Sequence, residues 1–214
     1  MSNERLSLNH PIVEQSFAII DREIGEHNFN PQEYAIARRV IHATADFEYT
    51  ELLQFNQDAI ASGIAAIRRG VPIVTDVTMV KQGIQTKVNK TFNNPIIAAV
   101  EQAQIADPGK TRTETGLLKC WSAYPDAIYA IGNAPTALLA LCEQLSHVDV
   151  NNIPGLVIGV PVGFVSVIES KQALAKLKVP QIITTGRKGG SPVAASILNA
   201  LMILASNESI NNYN

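Results

Sequence analysis

Apolar residues recur along the chain at two spacings, and the switch between them marks out the elements. From His10 to Glu26, Ile12, Phe17, Ile20 and Ile24 fall on one face at helical period with Pro11 near the start, so a first helix with a buried stripe is predicted. Asn30-Pro31-Gln32-Glu33 has the order of a second helix start: a capping side chain, a proline in the first turn, and a glutamate able to reach back to the cap. That helix is predicted to end near His42. A third runs from Asn56 to Arg69 and is closed by Gly70.

The pattern then shortens. Pro72-Ile73-Val74-Thr75-Asp76 is a continuous apolar run closing on polar residues, the mark of a buried strand. Three similar units follow. Ala127 to Ile131 leads through Gly132-Asn133-Ala134-Pro135 into a helix over Thr136 to Leu145. Gly155 to Val160 leads through Pro161-Val162-Gly163 into a helix over Val165 to Leu177. Pro180 to Thr185 leads through Gly186-Arg187-Lys188-Gly189-Gly190-Ser191 into a helix over Pro192 to Ala205. Short strands alternating with helices predict an α/β fold, a mainly parallel central sheet flanked by helices in a three-layer, Rossmann-like arrangement. No linker, repeat or low-complexity tract divides residues 1–214, so one domain is expected, with polar tails over about 1–9 and 207–214. In such sheets ligands bind beyond the carboxyl ends of the strands, where the glycine-rich turns converge.

Composition narrows the function classes. With 214 residues, 46% apolar, 17% charged and a net charge of −2, the chain has a substantial core and no basic surplus for nucleic acid. The low charged fraction points to surface covered by another subunit or wrapped around a ligand, a hint of oligomerisation. The first apolar run, Phe17 to Ile20, is too short for a signal peptide or a membrane span, which makes a cytoplasmic location the expectation. Cys120 and Cys142 have the look of buried thiols. His10, His27, His42 and His147 lack metal-ligand spacing, so no protein-held metal is expected.

The chemistry concentrates in Arg38-Arg39-Val40-Ile41-His42-Ala43-Thr44-Ala45-Asp46. Arg39 precedes His42 by three residues and shares its helix face, pairing a cation with the side chain best suited to proton transfer near neutral pH. The turns at Gly132-Asn133, Gly159 to Gly163 and Gly186 to Ser191 offer helix-start amides for an anion, and Arg187, Lys188 and Arg112 add positive charge. Neither G-x-G-x-x-G, the phosphate-binding G-x-x-x-x-G-K-[ST] nor a G-x-S-x-G elbow occurs, which tells against a nucleotide-dependent oxidoreductase and a serine hydrolase. The residues themselves thus describe an α/β protein that binds an anionic molecule, with His42 as the acid/base candidate.

Seven segments in order resemble the precorrin-8X (cobalt-precorrin-8) methylmutase family of corrin biosynthesis. They are Ile12 to Ile20, Arg39 to Thr44, Thr75 to Ile84, Thr111-Arg112-Thr113, Ile131 to Leu138, Gly159 to Val165 and Gly186 to Ser191. The resemblance implies an isomerase that moves a methyl group from ring carbon 11 to ring carbon 12 of the macrocycle, giving hydrogenobyrinate or cobyrinate. It implies His42 as proton donor and acceptor, Ser16 and Arg39 in the substrate site, and a homodimer with active sites near the interface. No cofactor is implied, any cobalt being carried by the tetrapyrrole substrate. Arg112, Asn133, Arg187 and Lys188 extend the substrate site on chemical grounds, since the substrate is rimmed with carboxylates. The rival from another class is a non-catalytic tetrapyrrole carrier, which would not need a titratable group at position 42.

Overall fold

The computed structural model describes residues 11–56, 58–148 and 153–211. Its helices are α1 (Pro11–Glu23), α2 (Pro31–Thr44), α3 (Tyr49–Leu52), α4 (Ala59–Arg68), α5 (Thr78–Lys90), α6 (Arg112–Ala123), α7 (Pro135–Leu145), α8 (Val167–Ala175) and α9 (Ser191–Asn211). The strands are β1 (Leu53–Phe55), β2 (Ile73–Thr75), β3 (Ile96–Ala98), β4 (Ile128–Ile131), β5 (Leu156–Gly159) and β6 (Gln181–Thr184). They form one sheet in the order β1-β6-β5-β4-β2-β3. Every neighbouring pair is parallel except β1 against β6, where Leu53 faces Thr184.

Strands β2, β4, β5 and β6 are buried along their whole length, which is why they read as unbroken apolar runs rather than alternating ones. One face of the sheet is covered by α4, α5 and α9 with α1 and α2 outside them, around Ile36, Ile41, Ile67, Ile84 and Leu198. The other carries α6, α7 and α8 around Leu117, Tyr129, Leu138 and Leu174. The α/β, three-layer, mainly parallel expectation therefore holds. After β4 the chain steps to β5 and β6 on one side, while β2 and β3 lie on the other, so the direction of winding reverses between β2 and β4.

Several boundaries move for physical reasons. Helix α4 begins at Ala59, because Asn56 stays with the sheet edge: its Nδ2 donates to the Val179 carbonyl at 2.6 Å and its Oδ1 accepts from the Gln181 N–H at 2.9 Å. Helix α8 begins at Val167, since Ser166 takes a left-handed conformation (φ 57°) that a helix interior does not accommodate. Helix α9 continues to Asn211, into the stretch expected as a polar tail; residues 1–10 and 212–214 lie outside the described part, as does the expected first helical position at His10.

Candidate active site

The His42 group is assembled by two helices. Helix α2 starts on a complete capping box: Asn30 Oδ1 accepts the N–H groups of Gln32 and Glu33, and Glu33 Oε2 accepts that of Asn30. It ends at Ala45, in left-handed conformation, with its N–H on the Ile41 carbonyl. His42 thus sits, half-buried, in a last turn whose ends are both fixed. From α1, Ser16 Oγ lies 2.8 Å from His42 Nδ1, and the buried Phe17 ring meets the imidazole edge-on at 5.5 Å. The same ring carries the guanidinium of Arg38 at 4.4 Å and that of Arg39 at 5.4 Å from its centroid.

Arg38 also binds Asp21 on α1 at 2.9 Å, and the Tyr34 hydroxyl donates to the same carboxylate. Burial and that bond push Tyr34 up to about 12, so it stays a donor. Together they bolt α1 to α2 and set Ser16 against the imidazole. Burial lowers Arg39, Arg38 lowers it further, and Glu14 opposes both. Arg39 is therefore a half-desolvated cation beside His42, as an anion-binding role needs.

The turn at Gly132-Asn133 is organised differently from the expectation. Its amides do not wait for an external anion: Asp76, fully buried at the end of β2, accepts the N–H groups of Asn133 at 2.6 Å and Ala134 at 2.8 Å on Oδ2, and that of Val77 at 2.9 Å on Oδ1. Its own N–H reaches the Ala130 carbonyl and its carbonyl accepts from Val100, so Asp76 ties the ends of β2, β3 and β4 together. Burial raises its carboxyl, and the backbone donors pull it back. The Gly159 to Gly163 turn is likewise closed, since the Val160 N–H bonds Ile131 and the Gly163 N–H bonds the Arg187 carbonyl.

The third turn, after β6, carries the positive charge. Lys188 reaches Asp46 at 2.6 Å and Glu48 at 3.0 Å in the turn that follows α2, which brings this loop to the His42 helix. Asp46 thereby has a structural task, and Lys188 holds it below the usual carboxylate range. Arg187 is exposed, 5.6 Å from the ring centre of Phe164. Beneath the loop the buried Lys171 donates to the carbonyls of Gly186 at 3.0 Å and Lys188 at 2.7 Å.

Of the predicted residues, Ser16, Arg39 and His42 are together, Lys188 is tied to the turn after α2 through Asp46 and Glu48, and Arg187, its chain neighbour, lies against Phe164. Arg112 is exposed in the first turn of α6 and Asn133 just before α7, two helix starts joined by the Thr111 and Thr136 hydroxyls 3.2 Å apart. The described contacts do not link this pair to the His42 group. Phe17, Asp76 and Lys171 escape sequence reasoning, although Asp76 carries a signal: a carboxylate at the carboxyl end of a buried strand. Among the described residues no group of three or more His, Cys, Asp or Glu side chains could hold a metal ion. Surface concavities at Gly25 to Asn28 and around Gln54, Phe55 and Gln181 include no residue of the His42 group.

A histidine steadied by a serine, a desolvated arginine one turn away and a cationic loop across the carboxyl edge can be compared with known proteins. The sequence pattern that defines precorrin-8X methylmutases matches residues 11–204. The chain belongs to this family. It is 56% identical to a cobalt-precorrin-8 methylmutase from a Synechocystis species, over 94% of this chain and 98% of that one. It is 40% identical to a precorrin-8X methylmutase from a Sinorhizobium species, over 89% and 92%. The crystal structure of the precorrin-8X methylmutase of Thermus thermophilus superposes with a TM-score of 0.83 at 40% identity, covering 92% of this chain and 96% of that one. The chain is accordingly an isomerase of corrin biosynthesis. No helix of the described residues is long and apolar enough to cross a membrane.

Proposed function

We propose that the chain moves a methyl group from ring carbon 11 to ring carbon 12 of (cobalt-)precorrin-8, with His42 giving a proton to the macrocycle and taking one back. The observation that carries this reading is the 2.8 Å contact between Ser16 Oγ and His42 Nδ1. With Nδ1 engaged, the ring is held in one orientation, and Nε2 is the nitrogen left to exchange a proton with substrate. Protonating the conjugated ring near the migrating methyl lowers the barrier to its shift, and the return of the proton completes an isomerisation with no net change in composition.

Arg39 and Arg187 are assigned to substrate carboxylates, with Lys188, Arg112 and Asn133 at the rim. No further cofactor is required. Cobalt, where present, arrives inside the substrate, and the cobalt form is the favoured one because the Synechocystis relative, named for it, shares more than half of its residues with this chain. Mass spectrometry of the pigment bound after co-expression with the rest of the pathway reads this directly; a metal-free macrocycle as the sole cargo would reverse the assignment. The enzyme is assigned to the cytoplasm as a homodimer with its sites near the subunit interface.

The deciding experiment replaces His42 by Ala. The variant is expected to fold and to bind hydrogenobyrinate, while conversion of substrate, followed in the visible spectrum, is lost. Conversion at the wild-type rate would sink the proton-transfer role of His42, whereas a wild-type protein that binds the macrocycle without converting it would bring back the carrier reading.

A further inference from the structure

We propose that Lys171 is a positioning residue for substrate recognition: its buried ammonium holds the turn after β6 in the conformation that meets substrate carboxylates. The inference rests on the reading of this turn as an anion site, and it names what builds that site. Four successive carbonyls of the turn accept hydrogen bonds from inside the protein. Gly186 takes Lys171 Nζ at 3.0 Å, Arg187 the Gly163 N–H at 3.3 Å, Lys188 both Lys171 Nζ at 2.7 Å and Thr184 Oγ1 at 2.9 Å, and Gly189 the Tyr49 hydroxyl at 3.4 Å. With the oxygens of residues 186–189 drawn inward and the Gly190 N–H on the Val160 carbonyl at 2.8 Å, the amides of residues 186–189 are the ones that do not face competing loop carbonyls, the polarity an anion requires.

Lys171 is 2% exposed. Among the described residues no carboxylate pairs with it, and both its bonds go to backbone oxygens. An unneutralised buried charge is costly to fold around, and desolvation accordingly lowers Lys171 to about 8. Its field remains directed at the turn above it. By contrast Lys188, the cation that the sequence advertises, is already engaged by Asp46 and Glu48. Attraction at this turn therefore falls to Arg187, the backbone amides and the charge of Lys171 below them. The Asp76 turn is its opposite: there a buried carboxylate takes the backbone amides of Asn133 and Ala134, which are not offered to an anion. The two buried charges together favour the turn after β6 over the turn after β4 as the place for a carboxylate.

The test uses the full-length protein, its Lys171→Met and Thr184→Val variants, and hydrogenobyrinate and cobyrinate as the probes. Lys171→Met keeps the side-chain length and removes charge and donors. Its Kd for hydrogenobyrinate is expected to rise about tenfold and its KM in parallel, with kcat within about threefold of wild type. Amide hydrogen exchange should quicken over residues 186–190 and not elsewhere, a pattern that a general loss of stability would not give. If Lys171→Met does not fold, Thr184→Val, which removes one interior donor from the same loop, is expected to weaken binding about threefold. Binding by wild type with an unchanged Kd in the folded variants overturns the role of Lys171 alone. Failure of the wild-type protein to bind either hydrogenobyrinate or cobyrinate overturns the substrate reading and this inference with it.

Discussion

At the scale of single residues, the site depends on side chains that hold other side chains. Ser16 makes one hydrogen bond to the imidazole, a contact worth about 0.5–1.5 kcal/mol. If the bond's task is to orient His42 for proton transfer, Ser16→Ala should lower kcat by up to about tenfold and leave KM nearly unchanged in steady-state assays. An unaltered kcat would remove Ser16 from the mechanism. Lys171 gives a prediction of a different kind. Its folded-state value, about 8, lies below the ordinary lysine value near 10.5. Below pH 8 both folded and unfolded chains hold the proton; between pH 8 and 10.5 the unfolded chain alone retains it, so this residue makes stability rise with pH across that window. Urea unfolding of wild type and Lys171→Met at pH 7 and pH 10 should show wild type gaining on the variant, and a constant difference would contradict the burial of this charge. The loop need not come apart meanwhile, because a neutral amine still has two hydrogens for the two carbonyls.

At the scale of elements, Asp76 makes the carboxyl edge of the sheet one unit. Asp76→Ala would strip the acceptor from the amides of Val77, Asn133 and Ala134, at about 1–3 kcal/mol for the buried Ala134 donor left unpaired and less for the two part-buried ones. A loss of about 3 kcal/mol or more in urea denaturation is expected, and a change below about 1 kcal/mol would show that the turns stand without it. What the sequence makes legible is set by the range of each interaction. Capping of α2 by Asn30 and Glu33 is local, and the buried strands β2, β4, β5 and β6 declare themselves through continuous apolar residues. Strands β1 and β3 are as short as β2 but lie at the two sheet edges and are only part-buried, so they lack its fully buried signature, and α5 with its lysines and glutamines hides its stripe of Val80, Ile84 and Val88. Asp46 is unreadable from its neighbours because its partner Lys188 is 142 positions away. Asp76 meets Asn133 across 57 residues, and Lys171 looks like any solvated helix lysine until α8 is laid against β6. The His42 group is legible because Arg39 and His42 share one helix turn; the buried charges that shape the surrounding turns are not.

At the scale of the whole molecule, the carboxyl edge carries more exposed apolar surface than a lone subunit has use for. Phe164 is 85% exposed and Val165 81%, with Val162 in the same turn and Met79 at the start of α5 also exposed. Phe164 and Val162 border the loop that holds Arg187, so whatever covers them also covers that loop. A second copy of the chain fits the low charged fraction and the proposed dimer, since symmetric interfaces concentrate apolar side chains at their centres. Sedimentation velocity should then give twice the 23.1 kDa chain mass at micromolar concentration. Phe164→Glu would place a charge in that apolar centre, where desolvation makes it costly, and is expected to shift the population toward single chains by about tenfold or more in dissociation constant. Turnover per chain should fall in step with the loss of dimer and recover as protein concentration is raised. Recovery ties activity to assembly, whereas a variant that remains dimeric yet loses turnover would place Phe164 against the macrocycle instead of against the second subunit.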